Sequence, residues 1–207
     1  MGKIHGTSAL KDPRPDGIYT LEDYRSWPNT ERWELIQGRA YAMSPSPRVK
    51  HQDISFHLAK NLADFIEDKP CRVFMAPLDV YLEGENQQVD TAASPESPEA
   101  SVSSSVVQPD VFVVCNPDII KDDGIHGAPA FIAEVLSDST ANKDLGEKKL
   151  LYERNGVKEY WVIQPDTATV FRWVLGDKAF LPVTEFQPGS EIESTVFSGF
   201  RWICPRG

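Results

Sequence analysis

The sequence predicts a mixed α/β fold: a central mixed β-sheet flanked by helices, with extra β-hairpins at its N- and C-terminal ends. Three features carry that expectation. Apolar runs bounded by turn residues, VFVVC (111–115), AFIAEVL (130–136) and VKEYWVI (157–163), read as buried strands. Ile54, Leu58, Leu62 and Phe65 recur at helical spacing while Lys50, Asp53, Lys60, Asp64 and Glu67 lie largely off that stripe. The composition, 41% hydrophobic and 25% charged over 207 residues, is that of a globular chain long enough to bury a core.

Taken in order, residues 1–17 read as a flexible tail rich in Gly, Pro and charge, and 18–207 as one domain. Thr20 followed by Asp23 is a capping-box-like start for a short helix at about 21–27. WELIQGRAYAM makes two short extended runs joined at Gln37-Gly38, a hairpin. Ser46 as N-cap and Pro47 at the first helical position then open the periodic helix. Strands are expected at about 72–76 and 78–82. Residues 85–107, with six Ser, two Pro and no aromatic residue, read as a disordered insert with too little apolar surface to offset its ordering entropy. A helix follows at about 143–154, stopped by Asn155-Gly156. The remainder is β-rich, with a second hairpin turn at Gly176-Asp177.

No run reaches the roughly 18 apolar residues of a membrane span, and the start has no apolar signal-peptide region. Three separated cysteines, Cys71, Cys115 and Cys204, read as neither a paired framework nor a metal knuckle, which points to a reducing cytoplasm. The net charge of -10 argues against a broad nucleic-acid surface. Its distribution softens that. Residues 73–120 hold eight acidic and no basic residues, whereas 25–72 and 143–158 are each net +2.

Chemistry concentrates on two strands. If VFVVC and AFIAEVL pair antiparallel with Val114 opposite Ala130, Asp110 falls opposite Glu134 on one face. Two carboxylates there repel and resist desolvation, and a hard divalent cation, Mg²⁺ or Mn²⁺, relieves both problems. Taken singly, Asp110 also reads as a strand-start cap and Glu134 as half of a buried salt bridge. Lys148 lies within the apolar arc of the 143–154 helix set by Leu145, Leu151 and Tyr152, where an ammonium needs a carboxylate or a polar cleft. A snorkelling lysine or an Asp144–Lys148 helical pair are its plainer readings. His51 lies on the Ile54/Leu58 stripe, as a core histidine or a substrate contact. Glu34 reads equally as a further metal ligand and as the partner of an arginine. No P-loop, GxGxxG, GxSxG or HExxH occurs, so no nucleotide cofactor is expected.

The series WELIQG (33–38), SPSPRVKH (44–51), QPDVFVV (108–114), GAPAFIAEVLSDST (127–140), DLGEK (144–148) and YERNGVKEYWVIQP (152–165) resembles the Uma-type restriction endonucleases, a bacterial family of the PD-(D/E)XK nuclease superfamily. The resemblance spans about residues 19–175, with the insert out of place. It implies a restriction-endonuclease-like core and Mg²⁺- or Mn²⁺-dependent hydrolysis of DNA. Asp110, Glu134, the Val135 carbonyl and Glu34 would be metal ligands, Lys148 the catalytic lysine, and His51 and Tyr152 substrate or supporting residues. The superfamily lysine two residues after the acid is Leu136 here, and Lys148 of the next helix is its replacement. DNA is the implied partner, and double-strand cleavage by two sites would call for a homodimer, for which no association motif is read. The alternatives are a nuclease-fold module that binds without cleaving, favoured by the net acidity and Leu136, and a hydrolase of small phosphorylated molecules.

Overall fold

The computed structural model of the chain describes residues 17–28, 31–43, 46–82, 104–137 and 141–205. The first helix, α1 (Leu21–Ser26), begins with the expected capping box: the Thr20 hydroxyl accepts from the Asp23 amide and the Asp23 carboxylate accepts from the Thr20 amide. Strands β1 (Trp33–Ile36) and β2 (Arg39–Ala42) form the hairpin. Gln37 and Gly38 both take positive φ, 49° and 78°, the backbone of a two-residue turn whose twist matches its strands.

Helix α2 (Val49–Ile66) begins two residues later than expected. Arg48, with no side-chain capping bond, is its N-cap, so the Ser46/Pro47 assignment is corrected. The apolar stripe itself sits as the periodicity requires, with Ile54, Leu58 and Leu62 buried and Phe65 packed at the margin.

Strands β3 (Arg72–Met75), β4 (Val80–Leu82), β5 (Ser105–Val107), β6 (Val111–Val114), β7 (Ile120–Lys121), β8 (Gly124–His126) and β9 (Phe131–Val135) follow, with a 3₁₀ turn at Pro117–Ile119. A continuous helix, α3, runs through Ala141–Lys143, a π-helical stretch Asp144–Lys148, and Lys149–Arg154. Gly156, at φ +79°, ends it where expected. Strands β10 (Glu159–Gln164), β11 (Thr169–Val174), β12 (Thr184–Phe186), β13 (Glu191–Glu193) and β14 (Arg201–Ile203) complete the chain. The expected turn at Gly176-Asp177 lies inside the Leu175–Phe180 bridge.

The central mixed sheet has the order β12-β11-β10-β9-β6-β3, with β9 and β10 parallel and the other pairs antiparallel. The N-terminal hairpin grows into a second six-stranded sheet, β2-β1-β5-β4-β8-β7, and β13–β14 form the C-terminal hairpin. One face of the central sheet (Val111, Val113, Ala133, Val135, Trp161) packs on α2 and the C-terminal hairpin. The other face (Phe112, Val114, Ile132, Val162) packs on α3 and the second sheet. Strands covered on both faces have no polar side to show, which is why their sequences are nearly unbroken apolar runs.

Two expectations are corrected. Ser105–Val107, the end of the expected disordered insert, is a buried strand in the middle of the second sheet, and the rest of that insert lies largely outside the described residues. Val106 faces Leu35 on one side and Tyr81 on the other, and the Ser105 hydroxyl accepts the Gln37 amide at 3.0 Å. Three residues are enough when each backbone group has a neighbour waiting. Cys71 and Cys115, which flank the β3–β6 pair Arg72↔Val114, form a disulfide. This removes the cysteine argument for a reducing compartment. Cys204 is free and buried. No helix among the described residues is long and apolar enough to cross a membrane. The 1–17 tail lies outside the described residues except for Gly17.

Candidate active site

Asp110 stands one residue before β6, and β6 pairs with β9 through Val111↔Ala133, Phe112↔Ile132 and Val113↔Phe131. That register continues to Asp110 opposite Glu134, the alignment assumed from the sequence. The two carboxylates are laced together by the backbone. The Asp110 amide donates to Glu134 Oε2 at 3.3 Å, and the Val135 amide donates to Asp110 Oδ2 at 2.8 Å. His51 Nε2, from the first turn of α2, is 3.2 Å from the same Oδ2. Asp110 is 21% exposed and His51 14%, so the solvent edge of the cluster lies here. Asp110 Oδ1 makes no hydrogen bond among the described residues.

Behind that edge the cluster is buried. Lys148 Nζ lies 2.9 Å from Glu134 Oε1, 2.8 Å from Glu34 Oε1 and 3.6 Å from Asp144 Oδ1. The Tyr152 hydroxyl donates to Glu134 Oε1 at 2.8 Å. Glu34 reaches the cluster from β1 and is fully buried. Its Oε1 also accepts the Gln108 amide at 3.0 Å, and its Oε2 takes Lys143. All six residues singled out by side chain in the sequence therefore converge. Glu34 has both oxygens committed to lysines and a backbone amide, the ion-pair reading with lysine in place of arginine. His51 is a carboxylate partner at the rim rather than a core residue.

Three participants carry no clear sequence signal. Lys143 joins Lys148 on Glu34 because the intervening stretch is π-helical, where residues five apart come into line. The Asp144 carbonyl of that stretch accepts the Tyr160 hydroxyl at 3.0 Å. Gln108, two residues before Asp110, is clamped from both sides. Arg32 donates to its Oε1 at 3.0 and 2.7 Å, and its Nε2 donates to Asp79, which also accepts the Tyr24 hydroxyl. The QPD segment is thereby tied to α1 and the second sheet. Its glutamine and proline-aspartate spacing was the one available hint.

Four carboxylates (Glu34, Asp110, Glu134, Asp144) meet two ammonium groups and one imidazole, and the charge does not balance evenly. Burial pushes Glu34 upward, but Lys148, Lys143 and the Gln108 amide outweigh it and hold the carboxyl at about 2. Burial pushes Glu134 up as well. There Lys148 opposes it, while Asp144, Asp110 and Glu34 add to it, so the carboxyl rises to about 8. The difference is one of neighbours: Glu34 has two lysines, and Glu134 shares one with two other acids and has Asp110 beside it. Burial disfavours the charged Lys148, but its surrounding carboxylates raise its pKa well above the usual lysine value. For His51, burial lowers the pKa, and the hydrogen bond and charge of Asp110 more than offset this, for a net rise.

These shifts fix a pH dependence of stability. The Glu134 pKa in the fold lies above its unfolded value of 4.5, so its contribution is complete below 4.5 and is lost as pH rises through about 8. Glu34 has the opposite sign: its contribution is present above 4.5 and disappears as pH falls toward 2. In chelator, urea midpoints should therefore fall between pH 5 and 8, and Glu134→Gln should flatten that slope. An unchanged slope in the variant would show that Glu134 does not hold its proton.

Among the described residues no three His, Cys, Asp or Glu side chains form a ready metal cage. A Mg²⁺ that keeps most of its waters needs only one or two carboxylates. Asp110, with one uncommitted oxygen at the solvent edge, and the adjoining Glu134 fit that requirement, and the net negative charge of the cluster favours it.

A family model described as "Putative restriction endonuclease" (Uma2) matches residues 21–204. An uncharacterized protein of Synechocystis sp., slr1290, is 24% identical over 175 residues, covering 83% of this chain and 82% of that protein. A crystal structure from Anabaena variabilis ATCC 29413, described as "a putative nuclease belonging to DUF820", superposes with a TM-score of 0.65 at 20% identity, over 86% of this chain and 90% of that one. The shared architecture is a restriction-endonuclease-like fold.

Proposed function

The chain belongs to the Uma2 restriction-endonuclease family, and from that premise we propose that it is a divalent-metal-dependent endonuclease hydrolysing DNA phosphodiester bonds at the Asp110–Glu134–Lys148 centre. The observation that carries the reading is the cross-strand pair itself: two acids abut at the end of β6 and β9, one reaching solvent, with an ammonium behind them. Asp110, Glu134 and the Val135 carbonyl would hold Mg²⁺ or Mn²⁺. Bound there, a divalent cation would polarise a phosphoryl oxygen and lower the pKa of a water.

The protein's own groups have separable tasks in this reading. Tyr152 and Lys148 fix one Glu134 oxygen and leave the other facing Asp110. His51 and the Val135 amide fix Asp110 through Oδ2 and leave Oδ1 available. Lys148 offsets negative charge developing at the phosphate, and Glu34 holds that lysine and Lys143 in place. Leu136, where the superfamily motif has its lysine, packs in the apolar core, and Lys148 of the helix after β9 brings the ammonium to Glu134 in its place.

The test is incubation of the purified protein with supercoiled, linear and branched DNA in Mg²⁺ or Mn²⁺, with chelator as control. Nicking or linearisation that needs the cation supports the reading. The absence of cleavage, together with no saturable Mn²⁺ site by calorimetry, would favour a binding module, which the chain's net charge of -10 also suits.

A further inference from the structure

A cavity of about 420 Å³ opens at the far end of α3, lined by Tyr81, His126, Gly127, Arg154, Asn155 and Gly156 among others. None of its lining residues belongs to the carboxylate–lysine centre. Arg154 lies six residues beyond Lys148, about 9 Å further along the helix.

Its walls have distinct chemistries. The rings of Tyr81 and His126 stack, with centroids 4.5 Å apart and planes 24° from parallel. The Arg25 guanidinium lies over the Tyr81 ring at 5.8 Å. Asp123 holds His126 Nε2 at 2.9 Å, which fixes the ring while a third of that side chain stays exposed. Across from this aromatic wall, the Arg154 side chain is exposed and pairs with no carboxylate among the described residues. Asn155 spends one amide hydrogen on the Leu151 carbonyl, and its carbonyl oxygen makes no bond among the described residues. At Gly156 nothing lies within 4 Å of where a Cβ would stand, so the wall there is bare backbone beside open space.

From this juxtaposition we infer that the cavity is a subsite for a single nucleotide, its base against the His126–Tyr81 stack and its phosphate on Arg154. A flat π surface accepts any base, at a gain typical of base–aromatic stacking. A guanidinium free of carboxylates is the side chain best matched to a phosphate, through paired hydrogen bonds. The Asn155 side-chain amide, with one hydrogen given to the Leu151 carbonyl, presents a polar edge to the rim of the base. The volume falls near the lower end of small-ligand sites, about 300–1,000 Å³, which suits one nucleotide. The inference that this nucleotide belongs to a DNA strand rests on the nuclease reading. The recognition of a nucleotide does not.

The measurement is binding in chelator, so that no cleavage intrudes, by anisotropy of a labelled single-stranded hexamer with unlabelled dAMP, inorganic phosphate and an abasic hexamer as competitors. Wild type and Lys60→Ala should bind alike, because Lys60 is exposed on α2, which packs on the face of the central sheet away from α3 and the cavity. Arg154→Ala and His126→Ala should each weaken the hexamer and dAMP about tenfold or more. The abasic hexamer should compete poorly. Unchanged affinity in both variants, or phosphate competing as well as dAMP, overturns the inference. Circular dichroism of the two surface variants guards against misfolding. Nucleotide binding without any metal-dependent cleavage would sink the nuclease reading and leave the subsite standing. Cleavage with an unaltered KM in Arg154→Ala would do the reverse.

Discussion

Asp110→Asn should reduce metal-dependent DNA cleavage by about a thousandfold or more while leaving the unfolding midpoint near that of the wild type. Asparagine keeps the shape of the side chain, and its carbonyl oxygen can still accept the Val135 amide that Asp110 Oδ2 accepts at 2.8 Å. What it loses is the negative charge at the one carboxylate of the pair that is open to solvent. Lewis-acid stabilisation is worth several kcal/mol in the transition state, and about 4 kcal/mol is about a thousandfold in rate. Calorimetry with Mn²⁺ should show the saturable site in the wild type and a loss of affinity in the variant. The His51 partner also disappears, so its pKa should drop toward the ordinary histidine value, and this can be followed by NMR titration. Full cleavage by Asp110→Asn would move the chemistry elsewhere in the molecule.

The pairing that underlies this expectation was legible in the sequence for a simple reason. A carboxylate inside the apolar run AFIAEVL needs a polar neighbour, and among the pairings open to the two runs one sets Asp110 beside it. The alignment of Val114 with Ala130 places it beside Asp110, and the observed register continues to that pair. The α2 stripe was legible because its one-sided burial leaves a period of 3.6. What was hidden lay where local pattern and tertiary context part. Ser105–Val107 is too short and too serine-flanked to read as a strand, yet β1 and β4 supply partners on both sides. The Cys71–Cys115 bond depends on β3 pairing with β6, which links residues 44 apart in sequence. Lys143 was missed because an α-helical wheel sets it about 140° from Lys148. The π-helical stretch removes that separation, and Glu34 then binds both ammonium groups.

Lys148→Met should cost roughly 3–5 kcal/mol of stability at pH 8, the range expected when one partner of a buried ionic cluster is removed. The methionine fits the volume and restores none of the charge. Glu34 then keeps Lys143 and the Gln108 amide but loses the 2.8 Å contact, Glu134 keeps only Tyr152 and the Asp110 amide, and Asp144 loses its i, i+4 partner. Protonation is then the way left to neutralise Glu134, so the deficit should shrink as pH is lowered from 8 to 5. This is the behaviour of carboxyls whose pKa in the variant fold lies above their unfolded value: they are stabilising below it and lose that contribution as pH rises. The same substitution at Lys143, which is 12% exposed and among the described residues pairs with the one carboxylate of Glu34, should cost less. Urea unfolding of both variants at pH 5 and pH 8 separates the cases. A pH-independent loss in Lys148→Met would mean that packing rather than charge holds that lysine, and the electrostatic account of the centre would fail with it.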